Sequence, residues 1–129
     1  LHMVDRRQRQ MCIETALDLD GDGDERTGWV IFYLHVDDIL VNPGSVLKAG
    51  DPIGKPSCEG GSATGTHVHL ARKYNGEWVP ASGPLAFNLE GWIAWQGSEP
   101  YQGTLTRFGQ TIRASVSSDQ STRIQSDAR

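Results

Sequence analysis

The sequence predicts an all-β protein, an antiparallel β-sandwich with several short hairpins. Fifteen glycines and six prolines among 129 residues give a high turn content, which favours many short strands over a few long helices. Apolar, aromatic and β-branched residues come in short runs, the strongest of them at 29–36, as is typical of strands. Neither a heptad repeat nor an amphipathic helical period is visible.

The first two predicted strands form a hairpin. Residues 12–19 partly alternate between polar and apolar, and residues 29–36 form the aromatic run. The residues between them, 20–28, are dense in Asp and Gly, which is a strong turn signal. Two strands joined by an Asp-Gly turn indicate a β-hairpin.

Further strand signals follow toward the C-terminus. Residues 67–72 form a predicted strand, and Asn75-Gly76 favours a type I′ turn before the return strand. A short strand is predicted at 92–95, and residues 101–114 have room for a final hairpin.

We expect one domain at 12–114, with an irregular segment at 1–11 before it and a disordered tail at 115–129 after it. The first segment is charged and lacks the apolar stretch of a signal peptide. Because the chain begins with Leu rather than Met, we expect a trimmed chain or a piece of a longer protein. The tail is rich in Ser, Gln and charge, which favours disorder.

Charge and hydropathy exclude two classes of function. The net charge is -4 and no basic stripe is present, so the electrostatic pattern of a nucleic-acid binder is absent. No apolar run has the length of a membrane span. The two cysteines, Cys12 and Cys58, are compatible with one disulfide or with two unrelated thiols.

Histidines are the candidate site residues. His67 and His69 flank Val68 in a predicted strand, so both rings point to the same face. One ring can then bind a metal while the other faces a water molecule or a substrate. His35 ends the strongest strand. Taken separately, the pair also fits a solvated sheet face, and His35 also fits a hydrogen-bonded residue near the core.

The order and spacing of several motifs resemble the lysostaphin-type, or LytM-like, zinc endopeptidase family. That family has a Tyr-x-His segment, a glycine-punctuated lipoyl-like β stretch, and a Ser/Thr-Gly-x-His-x-His segment. The resemblance covers roughly residues 13–95. The corresponding segments here are Tyr33-Leu34-His35, Val41 to Val46, Gly50-Asp51-Pro52-Ile53-Gly54 and Thr64-Gly65-Thr66-His67-Val68-His69-Leu70.

The resemblance implies a role for each histidine and a location for the protein. His69 corresponds to a zinc ligand, His67 to a general base that acts on the attacking water, and His35 to a donor that stabilises the oxyanion. The zinc ion lowers the pKa of a bound water and polarises the scissile carbonyl. The implied substrate is a peptide of bacterial peptidoglycan, and we expect a monomer that is secreted or located in the cell envelope.

One motif of the family is missing from this chain. The family has two further zinc ligands in an earlier His-x-x-x-Asp motif, and the nearest match, His2-Met3-Val4-Asp5, is one residue short. We interpret His2 and Asp5 as accidental and expect the true motif to lie upstream of Leu1. The chain alone is therefore predicted to bind zinc weakly and to be nearly inactive. The alternative is a non-catalytic wall-binding or regulatory module on the same scaffold.

Two other features suggest different ligands. Asp18, Asp20, Asp22 and Gly23 begin like an EF-hand loop, although position twelve is Trp29 rather than Glu. A solvated turn is the main alternative to a weak Ca²⁺ site at Asp18–Asp24. The second feature is the set of tryptophans Trp78, Trp92 and Trp95, which could line the sugar-binding face of a carbohydrate-binding β-sandwich. Trp92 is predicted to be core, Trp78 and Trp95 fit either a core edge or a sugar-binding face, and Arg72 and Lys73 are expected to be solvated.

Overall fold

Residues 2–5, 14–58, 65–117 and 120–126 are described by the computed structural model of the chain. The chain divides into two compact units, Leu1–Val79 and Pro80–Arg129. The domain predicted at 12–114 therefore includes parts of both. The all-β class is confirmed, because all sheets are antiparallel and the described residues include only one short 3-10 helix.

The first unit is built on a five-stranded antiparallel sheet with the strand order β1-β2-β3-β6-β7. A separate pair, β4 with β5, completes it. The strands are β1 (His2–Asp5), β2 (Glu14–Asp18), β3 (Trp29–Leu34), β4 (Val36–Asp37), β5 (Lys55–Pro56), β6 (His69–Tyr74) and β7 (Glu77–Trp78).

Strand β3 lies at the centre of this sheet, as its composition predicts. It pairs with β2 and β6, and every second residue, beginning with Val30 and Phe32, faces the core with Ala16. The predicted hairpin is confirmed by the β2–β3 pairing over 14–34, although β3 ends at Leu34 and residues 12 and 13 lie outside the described residues. The β6–β7 hairpin is confirmed too, since Asn75 and Gly76 have the positive φ angles, 47° and 82°, that a type I′ turn requires.

The second unit is a four-stranded antiparallel meander with the order β11-β10-β9-β8. Its strands are β8 (Asn88–Leu89), β9 (Trp92–Trp95), β10 (Thr104–Arg107) and β11 (Gln110–Arg113). Strand β9 coincides with the strand predicted at 92–95, and β10 with β11 forms the hairpin predicted within 101–114. Trp92 is only 4% exposed, which confirms its core position.

Four sequence expectations differ from the structure, two in the terminal segments and two at Arg72 and Lys73. The segment 1–11 contains β1, because His2–Asp5 pairs along the free edge of β2. The tail contains a 3-10 helix at Gln120–Thr122, and Ser126 donates a hydrogen bond to Glu90 Oε1. The expectation that Lys73 is solvated is wrong, because its partly buried ammonium pairs with Glu25 at 3.4 Å.

Arg72 is also only partly exposed, so its predicted solvation is wrong as well. Its guanidinium lies 5.4 Å from the centre of the Trp29 ring, a distance at which a cation is attracted to an aromatic face. The described part of the chain contains no helix with the length and apolar character that a bilayer crossing requires.

Candidate active site

Three imidazole rings meet at one end of the first unit's sheet. The ring centroids of His35 and His67 are 4.5 Å apart, and those of His35 and His69 are 6.3 Å apart with nearly parallel planes. Two of these residues come from the 67–69 segment and the third comes from the end of β3. The structure therefore brings together the three histidines that the sequence selects.

Sheet register positions His69. It is the first residue of β6 and pairs directly with Leu34, the last residue of β3. Directly opposed residues of an antiparallel pair project to the same face, so the His69 ring leaves the sheet beside the point where β3 ends. The side chain of His69 is exposed, and its ring nitrogens can be reached from solvent.

His35 is held in an unusual backbone conformation between β3 and β4. Its φ angle is 60°, in the left-handed region, which is uncommon for residues other than glycine but is enriched in His, Asn and Asp. The bend redirects the chain, so that His35 does not continue the alternation of β3. The residue is buried, with 9% of its surface exposed, although its ring lies next to two exposed ones.

The backbone of Ser57 connects two of the histidines. Its amide donates to the carbonyl of His35 at 2.8 Å, and its carbonyl accepts from the amide of His67 at 3.3 Å. Ser57 and His67 also form an isolated antiparallel bridge. Ser57 therefore fixes the separation of His35 and His67 through the main chain, and nothing in its side-chain type indicates this role in the sequence.

A short hydrogen bond orients the ring of His67. Its Nδ1 lies 2.7 Å from the carbonyl oxygen of Gly65. A carbonyl oxygen can only accept, so Nδ1 carries the proton in this contact. Nε2 of the neutral ring is then the nitrogen with a free lone pair. The hydrogen bond to Gly65 therefore identifies Nε2 as the basic atom of His67, the predicted general base.

Metal ligation at the imidazole cluster is incomplete within the described residues. Catalytic zinc sites usually have three protein ligands. In the described ranges, the only group of three His, Cys, Asp or Glu side chains with ligand atoms all within 4.8 Å of one another is Asp18, Asp20 and Asp22. Imidazole nitrogen suits zinc, so His69 fits as one ligand, but the cluster does not offer the full set.

His2 lies away from the imidazole cluster along the sheet. Its backbone pairs with Asp18, and Asp18 pairs with Val30, whereas His69 lies in the row of Leu34. Asp5 pairs with Thr15 on β2, and two strands separate β1 from β6. The backbone positions therefore do not bring either residue next to His69.

The matched region of a family model contains the whole imidazole cluster. Residues 23–81 match Peptidase family M23. The predicted resemblance to lysostaphin-type, LytM-like peptidases is thereby confirmed over this segment. The match to Peptidase family M23 ends close to the end of the first unit at Val79. A peptidase-type assignment rests on this segment and not on the second unit.

Curated relatives agree with the family match. Protease LasA of Pseudomonas aeruginosa strain PAO1 and the protein of the same name from strain UCBPP-PA14 are each 38% identical to this chain over 64 residues. The aligned part is 44% of this chain and 15% of either relative. The chain therefore spans only a small part of the length of these two relatives. No solved structure matches the chain.

The two tryptophans that fit a sugar-binding face, Trp78 and Trp95, make contacts within their own units. Trp78 is largely exposed, but its ring packs on Phe32 at 5.1 Å and lies 4.5 Å from Lys73 Nζ. Trp95 is also exposed, and its Nε1 donates to Thr106 Oγ1 at 2.7 Å. Each tryptophan therefore uses part of its ring within its own unit. Of the two cysteines, Cys12 lies outside the described residues, and Cys58 is exposed near Thr66.

Proposed function

We propose that residues 23–81 form part of the active site of a zinc-dependent endopeptidase that cleaves peptides of bacterial cell-wall peptidoglycan. The observation that carries this proposal is the convergence of His35, His67 and His69 within 4.5–6.3 Å between ring centroids. The match to a peptidase family and the similarity to Protease LasA support peptide-bond chemistry. A secreted or cell-envelope location follows from the same proposal.

His67 is suited to the role of general base. Its Nδ1–H is held by the Gly65 carbonyl, so Nε2 is free to accept a proton from an attacking water molecule. The hydrogen bond also limits rotation of the ring, which keeps that nitrogen directed at one position. Positioned general bases typically contribute a rate factor of about 10²–10⁴.

His35 is suited to stabilising negative charge on the substrate carbonyl. It is buried, and a hydrogen bond in a low-dielectric environment is electrostatically stronger than one in water. Its carbonyl is held by the Ser57 amide at 2.8 Å, which fixes the backbone that carries the ring. A preorganised donor of this kind contributes because it needs no rearrangement as charge develops.

His69 is the proposed metal ligand, through the exposed imidazole at the start of β6. A zinc ion, when bound, supplies Lewis-acid polarisation of the carbonyl and a water of lowered pKa. Because the described residues do not supply the complete ligand set, we expect this chain alone to hold zinc weakly. A longer form with a His-x-x-x-Asp motif before Leu1 is expected to hold it tightly.

The test uses that longer form, with zinc content and hydrolysis of cross-bridged peptidoglycan peptides as readouts. His69→Ala should lose both zinc and activity. His67→Ala should retain zinc and lose activity by about 10²–10⁴-fold. The matched control is Val68→Ala, since Val68 is exposed between the two histidines and should leave both readouts unchanged. Undiminished hydrolysis by His67→Ala or His69→Ala would refute the assignment.

The incomplete ligand set favours one alternative, a non-catalytic wall-binding or regulatory module. This reading predicts that the longer form binds peptidoglycan sacculi without releasing peptides, at any zinc concentration. It also predicts that the histidine substitutions leave binding unchanged. A search of the coding sequence upstream of Leu1 for the missing motif distinguishes the enzyme hypothesis from the binding-module hypothesis before any protein is made.

A further inference from the structure

The end of β2 and the loop that joins it to β3 bring three carboxylates together, at the end of the sheet opposite the histidines. Asp18, Asp20 and Asp22 each place one oxygen so that all three lie within 4.8 Å of one another. Calcium–oxygen distances are about 2.3–2.6 Å, so two oxygens on one ion can be at most about 5 Å apart. The spacing of the carboxylates therefore allows a single shared ion.

Asp18 provides a second and independent sign of a cation. Its side chain is fully buried, with 0% of the residue exposed. Oδ2 accepts the amide of Gly23 at 2.7 Å, whereas Oδ1 has no hydrogen-bond partner. A buried carboxylate oxygen without a partner is strongly unfavourable, and an ion bound by the cluster that contains Asp18 would compensate it.

The cations near this loop are already engaged elsewhere. Arg26 contacts both carboxylate oxygens of Asp24, at 2.7 Å and 2.9 Å for the shortest contacts, and Lys73 pairs with Glu25. No salt bridge to Asp18, Asp20 or Asp22 occurs within the described part of the chain. Within the described part of the chain, Asp24 and Glu25 are therefore paired with cations, whereas the other three carboxylates are not.

Asp20 lies beside the other two carboxylates, with one oxygen of each of the three within 4.8 Å of the others. Asp20 also lies against Gly28, where any side chain would collide with its Oδ2. The Asp20 carboxylate is therefore confined between Gly28 and its two acidic neighbours.

We propose that Asp18, Asp20 and Asp22 form a Ca²⁺ site at the β2–β3 hairpin. Ligands that are all carboxylate oxygens suit a hard cation, and the flexible geometry of Ca²⁺ tolerates an irregular loop better than the strict octahedron of Mg²⁺ does. Trp29 stands where an EF-hand has its bidentate Glu, so water molecules complete the shell. We expect a Kd on the order of 10⁻⁴–10⁻³ M, the weak end of calcium modules.

Isothermal titration of the chain with CaCl₂, at neutral pH and without zinc, tests the site directly. The wild-type chain should bind one ion, and Asp20→Asn and Asp22→Asn should each reduce the affinity by at least about 10-fold. Both side chains lie in the exposed part of the loop, so neither change removes core packing. The matched control is Asp38→Asn, an exposed carboxylate that pairs with Lys55, and it should bind Ca²⁺ as the wild type does.

Thermal melting distinguishes a metal site from a merely structural loop. At about 10 mM CaCl₂ the wild-type Tm should rise by roughly 5–10 °C, and Asp20→Asn should abolish the rise. In EDTA the same variant should melt close to the wild-type temperature, because Asp20 lies in the exposed part of the loop and the change removes no core packing. No binding and no Tm rise for the wild type, or an equal rise for Asp20→Asn, would overturn the proposal.

Discussion

The two ends of strand β3 carry opposite kinds of ligand atom. Before Trp29 the chain gathers oxygens, in the carboxylates of Asp18, Asp20 and Asp22. After Leu34 it gathers nitrogens, in the rings of His35, His67 and His69. Six residues of one central strand lie between the two clusters, so a single element positions both.

The clusters differ in how they are assembled. The carboxylates lie within five consecutive residues and are held by short-range contacts, such as Gly23 N to Asp18 Oδ2 and Asp24 N to Asp22 Oδ1. The imidazoles come from distant parts of the chain and depend on the β3–β6 register and on Ser57. The oxygen cluster should therefore tolerate disturbance of the sheet better than the nitrogen cluster does.

Removal of a core side chain from the middle of β3, the strand between the two clusters, should have the largest effect on stability. Phe32 is 0% exposed and contacts the Trp78 ring, so Phe32→Ala should lower the free energy of unfolding by about 3–5 kcal/mol. Urea denaturation measures this. Phe108→Ala is the control, because Phe108 is 95% exposed and should change stability by less than about 0.5 kcal/mol. Equal losses for the two variants would contradict the core assignment.

A substitution at Gly28 should disturb the oxygen end alone. Gly28 has φ 59°, and an added Cβ would collide with Asp20 Oδ2. Its amide and carbonyl also contact Asn75. We expect Gly28→Ala to lower stability by about 1–2 kcal/mol from the left-handed backbone alone and to abolish the calcium response.

Gly44 offers a matched control for Gly28. Its φ is 82°, and an added Cβ would meet nothing within 4 Å. Gly44→Ala should therefore have a similar backbone penalty in urea denaturation but keep the calcium response in titration. If both variants retained calcium binding, contact between Gly28 and Asp20 would not be needed for the site.

The smallest expected effect concerns acid stability at the oxygen end. Hydrogen bonds from the Arg26 side chain lower the pKa of Asp24 from 3.8 to about 2. Because the pKa is lower in the folded chain, this pair stabilises the fold above pH 3.8, and the contribution is lost as pH falls toward 2. The stability difference between wild type and Asp24→Asn should shrink over that interval in denaturation measured at a series of pH values. A difference that stays constant with pH would show that the pair does not contribute.

Local pattern was sufficient to predict most strands. The alternation and β-branching of 29–34, the Asp-Gly turn before it and the Asn75-Gly76 turn each indicate a structure that the fold contains. Strand β1 was missed, because four residues flanked by charge carry a weak signal and gain their order from pairing with β2. Edge pairing of this kind is a tertiary effect.

Candidate site residues were predicted unevenly for a similar reason. The sequence selected His35, His67 and His69 through motif order, and the structure brings their rings together. The sequence contains no sign of Ser57, whose main chain connects His35 and His67 by two hydrogen bonds. The burial of Asp18 was also missed, although the alternation of β2 places it on the same face as buried Ala16.

Val68, the single residue between His67 and His69, can vary in type but not in number. Val68 is exposed, so many side chains can replace it without altering either ring. An insertion or deletion of one residue there would instead reverse the face on which one ring emerges. We expect homologous segments to vary in side-chain identity at this position while their length stays constant.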